Sequence, residues 1–319
     1  MRRTWIVYCL LILAFCILPR RACAQANGAP VETAEAYKLK VAVNEVSLTF
    51  HAADAHGLPV NDLKLEELSL LDNGKPPSRI LEFHPLEDMS LRAGILIDTS
   101  DSMQQDVSAD RAISIKFAQR LLRQQSDKAF VMDFGYLSKI TQTWTHEQTA
   151  LAAGIHQVVT GRENRLGGTA MLDAIFRACF NVFGSNDHAT SGNFILLFSD
   201  GDDNASHTSL EEVVDICQRS NTAIYAFRAE PVPSFFSFGP KTLAELAAET
   251  GGRVFPSDDS EAGIDSDLRI IEADLRNQYR LIYNPAELKH DGSFHRIQLK
   301  TPERVESVNI RLGYYDPPR

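Results

Sequence analysis

A chain of 319 residues, 44% hydrophobic and 23% charged, can bury one substantial core and a smaller second one, which excludes a fibrous or wholly disordered protein. Its formal charge is −10, and removal of residues 1–24 takes away four arginines and no acid, leaving 28 basic residues against 42 acidic and a charge of −14. An acidic surface of that size argues against nucleic acid or an anionic membrane face as partner.

Taken in chain order, Arg2 and Arg3 precede an apolar block from Trp5 to Leu18, and Ala22-Cys23-Ala24 before Gln25 has the small-x-small form of a signal peptidase site. Residues 1–24 are therefore predicted to be a signal peptide and the protein to be exported, periplasmic or secreted. The apolar block is short for a bilayer span, and Arg20 and Arg21 leave an uncleaved anchor as the alternative, the one case in which a membrane is an expected partner. Residues 25–36 read as a linker.

From Tyr37 the pattern is strand-like, "YKLKVAVNEVSLTFHA" and then "LSLLDNGKPP", where Asp72-Asn73-Gly74 is a strong turn signal. Near Asp88 the character changes to alternating buried strands and amphipathic helices. Strands are predicted over 91–98, 128–134, 193–199 and 222–228, with an edge strand near 139–144 and a short one at "GRVF". Helices are predicted over about 104–125, 147–160, 170–183, 209–220, 241–250 and 261–277. Such alternation implies an α/β fold, a doubly wound and mostly parallel sheet with helices on both faces. After Arg276 the β pattern returns in "QYRLIYNP", "SFHRIQLK" and "SVNIRLGYY". Strands at either end would leave apolar faces wet if alone, so segments 37–88 and 278–316 are expected to pair as one β-sandwich-like domain, with the α/β domain, 89–277, inserted between them.

Three of the five cysteines lie in the leader. The other two, Cys179 and Cys217, sit in apolar helical patterns and read as packed free thiols rather than a disulfide.

The chemistry concentrates where the buried strand in "AGILIDTSDSM" ends. Extended alternation points Asp98, Ser100 and Ser102 the same way, at the sheet edge where open α/β proteins keep their ligand sites. Two further segments belong on that edge: "RLGGTAML", which puts Thr169 at a helix start, and "ILLFSDGDDN", which puts Asp200 at the end of another buried strand. Hydroxyls and carboxylates without histidine or thiolate suit a hard divalent cation, Mg²⁺ or Mn²⁺ better than Zn²⁺. If the neutral hydroxyls take several direct positions, the ion keeps much of its charge and favours an anionic ligand from outside. Asp202 and Asp203, just beyond, read as a solvated acidic turn.

"DTSDSM", "GGTA" and "FSDGDDN", in that order and on these elements, resemble the metal-ion-dependent adhesion site of von Willebrand factor type A domains, with its Asp-x-Ser-x-Ser, Thr and Asp pattern. The flanks "LPVNDLKLEELSLLDNGKPPSRILEF", "LAAETGGRVF", "LRNQYRLIYNP" and "DGSFHRIQLK" resemble a bacterial secreted group of such proteins, so the likeness runs from about 37 to 316. The resemblance implies a Rossmann-like domain in which Ser100, Ser102 and Thr169 offer hydroxyls, Asp98 and Asp200 bind directly or through water, and a partner's Asp or Glu completes the shell. Where the commonest form of the last motif has Thr before Asp-Gly, this chain has Ser199, which keeps a hydroxyl.

Capping alone would also explain Ser and Asp at a helix start, and it is compatible with metal binding. Enzyme readings fare worse. A haloacid dehalogenase-type phosphatase wants a second acid two positions after Asp98, where Ser100 stands, and neither a Gly-x-Ser-x-Gly elbow nor a Gly-x-x-x-x-Gly-Lys loop occurs. The expected function is thus non-catalytic: a metal-dependent protein-binding module of the adhesion or scaffold type, with no small-molecule substrate. The alternative is a structural part of an envelope assembly whose metal only stabilises the fold. In "PVPSFFSFGP", the phenylalanines Phe235, Phe236 and Phe238 follow the strand 222–228 on the same edge and are a candidate partner-binding surface.

Overall fold

The computed structural model describes residues 45–87, 89–159, 167–184, 191–228, 238–256 and 260–316. The predicted leader and linker, and Phe235 and Phe236, lie outside them. Three strands come first, β1 (Val46–Ala53), β2 (Ser69–Asp72) and β3 (Arg79–Glu87). The alternating region follows as β4 (Ser90–Asp98), α1 (Val107–Leu121), β5 (Lys128–Phe134), β6 (Ser138–Thr145), α2 (Gln148–His156) and α3 (Met171–Arg177). It continues as β7 (Ser191–Ser199), α4 (Leu210–Arg219), β8 (Thr222–Arg228), α5 (Gly239–Thr250), β9 (Arg253–Pro256) and α6 (Glu261–Arg276). Four strands close the chain, β10 (Asn277–Asn284), β11 (Phe294–Lys300), β12 (Ser307–Ile310) and β13 (Gly313–Tyr315). All belong to one compact unit, Val43–Arg319.

The central sheet has the order β6-β5-β4-β7-β8-β9, parallel throughout except for the antiparallel edge pair β5/β6. Its strands are near-continuous apolar runs because helices cover both faces. Ile95 and Ile97 of β4 face Phe117 of α1, Leu151 of α2 and Leu268 of α6, while Leu96 faces the opposite core with Met171 of α3, Val213 of α4 and Leu243 of α5. The first helix begins later than predicted, at Val107, since Asp101–Met103 form a 3-10 turn. The third is α-helical only to Arg177 and continues as a π-helical turn, Ala178–Phe183.

That turn carries Cys179, which is joined to Cys217 of α4 by a disulfide with Cα atoms 5.4 Å apart. The free-thiol expectation is thereby corrected: the two helices pack side by side over the same face of the sheet, a proximity no sequence pattern states. Closing a 38-residue separation limits the unfolded chain by about 4 kcal/mol. Reduction under native conditions is therefore expected to lower the melting temperature by roughly 10 °C. Calorimetry with and without reductant checks this; unchanged melting would show that the bond adds nothing to stability.

The remaining strands form two antiparallel sheets, of order β12-β1-β10-β3 and β13-β11-β2, each built from both ends of the chain. Val46, Leu48, Leu281 and Tyr283 of one sheet pack against Leu70, Ile297 and Tyr314 of the other. Asn73 (φ 48) and Gly74 (φ 77) make the two-residue turn after β2, a backbone that Asn-Gly supplies at little cost. Asp72, which sequence alone assigns to that turn, also pins the core. Its carboxylate accepts hydrogen bonds from Tyr283 Oη (2.9 Å) and Tyr314 Oη (2.7 Å) and meets His295 Nδ1 at 2.7 Å. Burial first, and the neighbouring Asp72 charge, push both phenols well above their usual range.

The α/β region leaves and re-enters this sandwich at one place. β3 and β10 are antiparallel neighbours with Glu87 opposite Asn277, so residues 88–276 occupy the position of a hairpin turn. Arg276 holds the two ends together: its Nη1 donates to the carbonyl of Met89 (2.7 Å) and its Nη2 to that of Leu121 (2.7 Å) and to Asp127 (2.7 Å). Asp127, fully buried, also accepts the backbone N–H groups of Leu91, Arg123 and Gln124, which satisfies its charge.

Candidate metal centre

Asp98 is the last residue of β4, and its carboxylate is fully buried. Thr99 turns the other way, its backbone N–H and hydroxyl both donating to the carbonyl of Phe134. Asp98 and Ser100 are thereby left on the opposite side. Ser100 donates its N–H to Asp98 Oδ1 (2.9 Å), and its hydroxyl lies 3.2 Å from that of Ser102. Met103, 1% exposed, anchors the 3-10 turn in the core so that Ser102 stays at the surface.

Ser199, at the end of β7, donates its hydroxyl to Asp98 Oδ2 (2.8 Å) and accepts the N–H of Gly201 (3.0 Å). Asp200 follows directly, and its own carboxylate accepts the N–H of Asp202 (3.0 Å). The turn must be made of glycine. Gly201 has φ 84 and packs so closely on Gly239 that a Cβ there would meet its carbonyl oxygen at 2.4 Å.

Thr169 reaches the same turn by its backbone. It donates to Asn204 Oδ1 (2.8 Å), and its carbonyl accepts the N–H groups of Asn204 and Ala205. Gly167 (φ 63) and Gly168 (φ 102) swing the chain into this position; a Cβ on Gly168 would meet Asn204 Oδ1 at 2.8 Å. The contacts thus join Asp98, Ser100 and Ser102 to one another, Asp200 to Asp98 through Ser199 and through charge, and Thr169 to the turn after Asp200. The Thr169 side chain is buried without a direct bond to the others among the described residues.

Sequence reasoning passed over Asn204, which fastens the Thr169 segment, and misread its two neighbours. Asp203 and Asp202 are not a solvated turn: Asp203 Oδ2 accepts Leu172 N–H (2.8 Å) at the start of α3, and Asp202 Oδ1 accepts Gly239 N–H (2.8 Å) at the start of α5. An acidic residue placed to cap a helix that lies elsewhere in the chain leaves no local signal. Phe238 caps the start of α5 beside Gly239 and is 71% exposed.

The electrostatics show what this arrangement lacks. Burial, and to a lesser extent the Asp200 charge, lift the Asp98 carboxyl from 3.8 to about 6 against the lowering effect of its bonds to Ser100 and Ser199. Among the described residues no basic side chain is in contact with it. Two carboxylates and three hydroxyls are a hard oxygen set, and among the described residues no three His, Cys, Asp or Glu side chains cluster as a metal cage. The donor set fits a divalent cation, which would supply the missing positive charge.

The sequence profile of the von Willebrand factor type A domain matches residues 94–202, the stretch that holds all five of these side chains. The chain carries a von Willebrand factor type A domain. Among solved structures with this fold is proximal thread matrix protein 1 from the mussel byssus with a zinc-occupied MIDAS motif, 14% identical, covering 64% of this chain and 50% of that one, with a TM-score of 0.50. Also similar are the conserved hypothetical protein BatB from Bacteroides thetaiotaomicron (15% identity, 57% and 97% coverage, TM-score 0.46) and a von Willebrand factor type A protein from Catenulispora acidiphila (12%, 80% and 74%, TM-score 0.45). No curated protein sequence matches the chain. Von Willebrand factor type A domains commonly mediate contacts between proteins, and they bind a divalent metal at the adhesion site. No helix among the described residues is long and apolar enough to cross a membrane.

Proposed function

We propose that the chain is an exported, metal-dependent protein-binding module and not a catalyst. Asp98, Ser100, Ser102, Thr169 and Asp200 hold a Mg²⁺ or Mn²⁺ ion, and a partner's Asp or Glu completes its shell. The observation that carries this reading is the buried Asp98 carboxylate, ringed by hydroxyls and a second acid, with no cationic side chain among the described residues to balance it. A buried unbalanced charge costs several kcal/mol in a protein interior, and a bound cation removes the cost. Neutral hydroxyls leave the ion electron-poor, so it attracts an outside carboxylate. Exposed Phe238, next to the Asp202 turn, extends the docking surface, with Phe235 and Phe236 assigned to it from sequence.

Export rests on the leader pattern of residues 1–24 and agrees with a disulfide between Cys179 and Cys217, a bond that persists in oxidising compartments. The domain limits of this reading are 89–277 for the metal-binding domain and 37–88 plus 278–316 for its β-sandwich-like host. Partner capture from a periplasmic extract is expected to disappear in EDTA and return with Mg²⁺, while circular dichroism shows the protein folded throughout. Capture that persists in EDTA would overturn the metal-dependent reading.

A further inference from the structure

A cavity of about 280 Å³ lies between α4 of the metal-binding domain and the sandwich, away from the Asp98 edge. The ten-residue helix α4 separates the two: its capped N-terminus at Ser209 follows the 200–208 turn, and its last residues, Gln218 and Arg219, form one wall of the cavity. The span is about 15 Å.

The lining has two characters. Val46, Leu288, Tyr314 and Tyr315 give an apolar and aromatic wall, and Arg219, Arg280 and Arg311 bring three guanidinium groups to one small volume in a chain of net charge −10. Glu45 and Asp215 are the lining acids, and Asp215 is engaged by Arg219 at 2.9 Å. Arg311 meets a carbonyl and an aromatic ring. Its Nη2 donates to the carbonyl of Ser47 (2.8 Å), its guanidinium lies 5.9 Å from the Tyr314 ring centroid, and its Nε is buried with no hydrogen-bond partner. Among the described residues no carboxylate contacts it, and burial pulls its guanidinium below the usual range.

A guanidinium that lines a cavity and keeps an unsatisfied N–H marks a place for an acceptor. A guanidinium fork matches a planar carboxylate, and the apolar wall beside it suits the organic body that inorganic phosphate lacks. The volume sits at the lower edge of small-ligand sites, which are mostly apolar with a few placed polar groups.

We propose that this cavity binds a small organic monocarboxylate, its carboxylate on the open edge of Arg311 and its apolar body against Val46, Leu288 and Tyr315. The occupant touches α4 on one side and the sandwich strands on the other. It therefore clamps two layers already bridged by Gln218, whose Nε2 donates to the carbonyls of Glu249 (2.8 Å) and Gly313 (3.0 Å).

Titration calorimetry on the full chain with 4-phenylbutyrate is the test, with 4-phenylbutanol and inorganic phosphate as comparison ligands. The carboxylate is expected to bind saturably at one site and the other two at least tenfold more weakly, since a charge-assisted hydrogen bond is worth about a tenfold factor or more. Arg311→Gln should weaken the carboxylate by a similar factor. Leu288→Glu, which sets a like charge in the wall, should do the same and decides the matter if Arg311→Gln does not fold. Asp98→Ala should bind it as the parent does, which separates this site from the metal centre. Absence of saturable binding, equal binding of the alcohol or of phosphate, or affinity retained in a folded Arg311→Gln or in Leu288→Glu would each overturn the proposal.

Discussion

In EDTA at neutral pH, Asp98→Asn is expected to melt several degrees above the parent protein, and Mg²⁺ is expected to raise the parent but not the variant. The native carboxyl titrates near 6 instead of 3.8, so the folded state holds its proton more tightly than the unfolded chain. That penalty is absent below about pH 3.8, where the group is neutral in both states. It is complete above about 6, where it amounts to something on the order of 3 kcal/mol. Stability of the ion-free protein therefore falls as pH rises through that window. Asparagine keeps an acceptor for Ser100 N–H and removes the charge, while the second contact, to Ser199 Oγ, can reverse its direction. In the presence of the ion the charge becomes the asset. Asp98→Ala and Asp98→Asn should both lose the Mg²⁺ or Mn²⁺ signal in titration calorimetry. Parent-like metal binding by either variant would remove the proposed centre, and a less stable Asp98→Asn in EDTA would show that the carboxylate has a balancing partner.

Deleting residues 278–319 is expected to abolish soluble folding of the β strands while leaving 89–277 folded by itself. The deletion removes β10 and β12 from one sheet and β11 and β13 from the other, so β1, β2 and β3 each lose every strand they pair with. Leu48, Phe50 and Leu70, each at most 5% exposed in the intact molecule, would face water. Each large apolar side chain so exposed costs about 1.5–3 kcal/mol, and the three together are comparable to a domain's whole stability. The α/β unit keeps both of its cores, since neither draws its buried residues from the terminal strands. Light scattering of the truncated chain and circular dichroism of 89–277 check both halves. A segment 25–88 that folds stably alone would contradict the shared sandwich.

What the sequence made legible follows from how local each feature is. Asp98 and Ser100 were placed correctly at a strand end because a buried parallel strand is a continuous apolar run, and its end is visible as the first polar residue. Thr169 stands just before α3, close to the helix start that "RLGGTAML" implies, and the structure adds the positive φ of Gly167 and Gly168. Where two distant segments meet, the signal vanished. Cys179 and Cys217 each look like an ordinary core residue of a helix, and only the side-by-side packing of two helices makes them a pair. Asp202 and Asp203 form an acidic run that reads as solvated, yet each accepts a backbone N–H from a helix 30 or more residues away. Asp72 was hidden by its own turn signal, because the tyrosines and histidine that surround it lie more than 200 residues later.

The hairpin position of the α/β domain, with Glu87 opposite Asn277 and Arg276 bonded to Met89, sets an order of assembly. While residues 88–276 are unfolded, β3 and β10 are the ends of a loop of ~190 residues, whose closure costs about 4 kcal/mol more than that of a two-residue turn. Once the α/β domain has formed, those ends are already side by side and the sandwich strands meet as if joined by a tight turn. The inserted domain is thus expected to act as a folding template for its host, with the β layers pairing after the central sheet has formed.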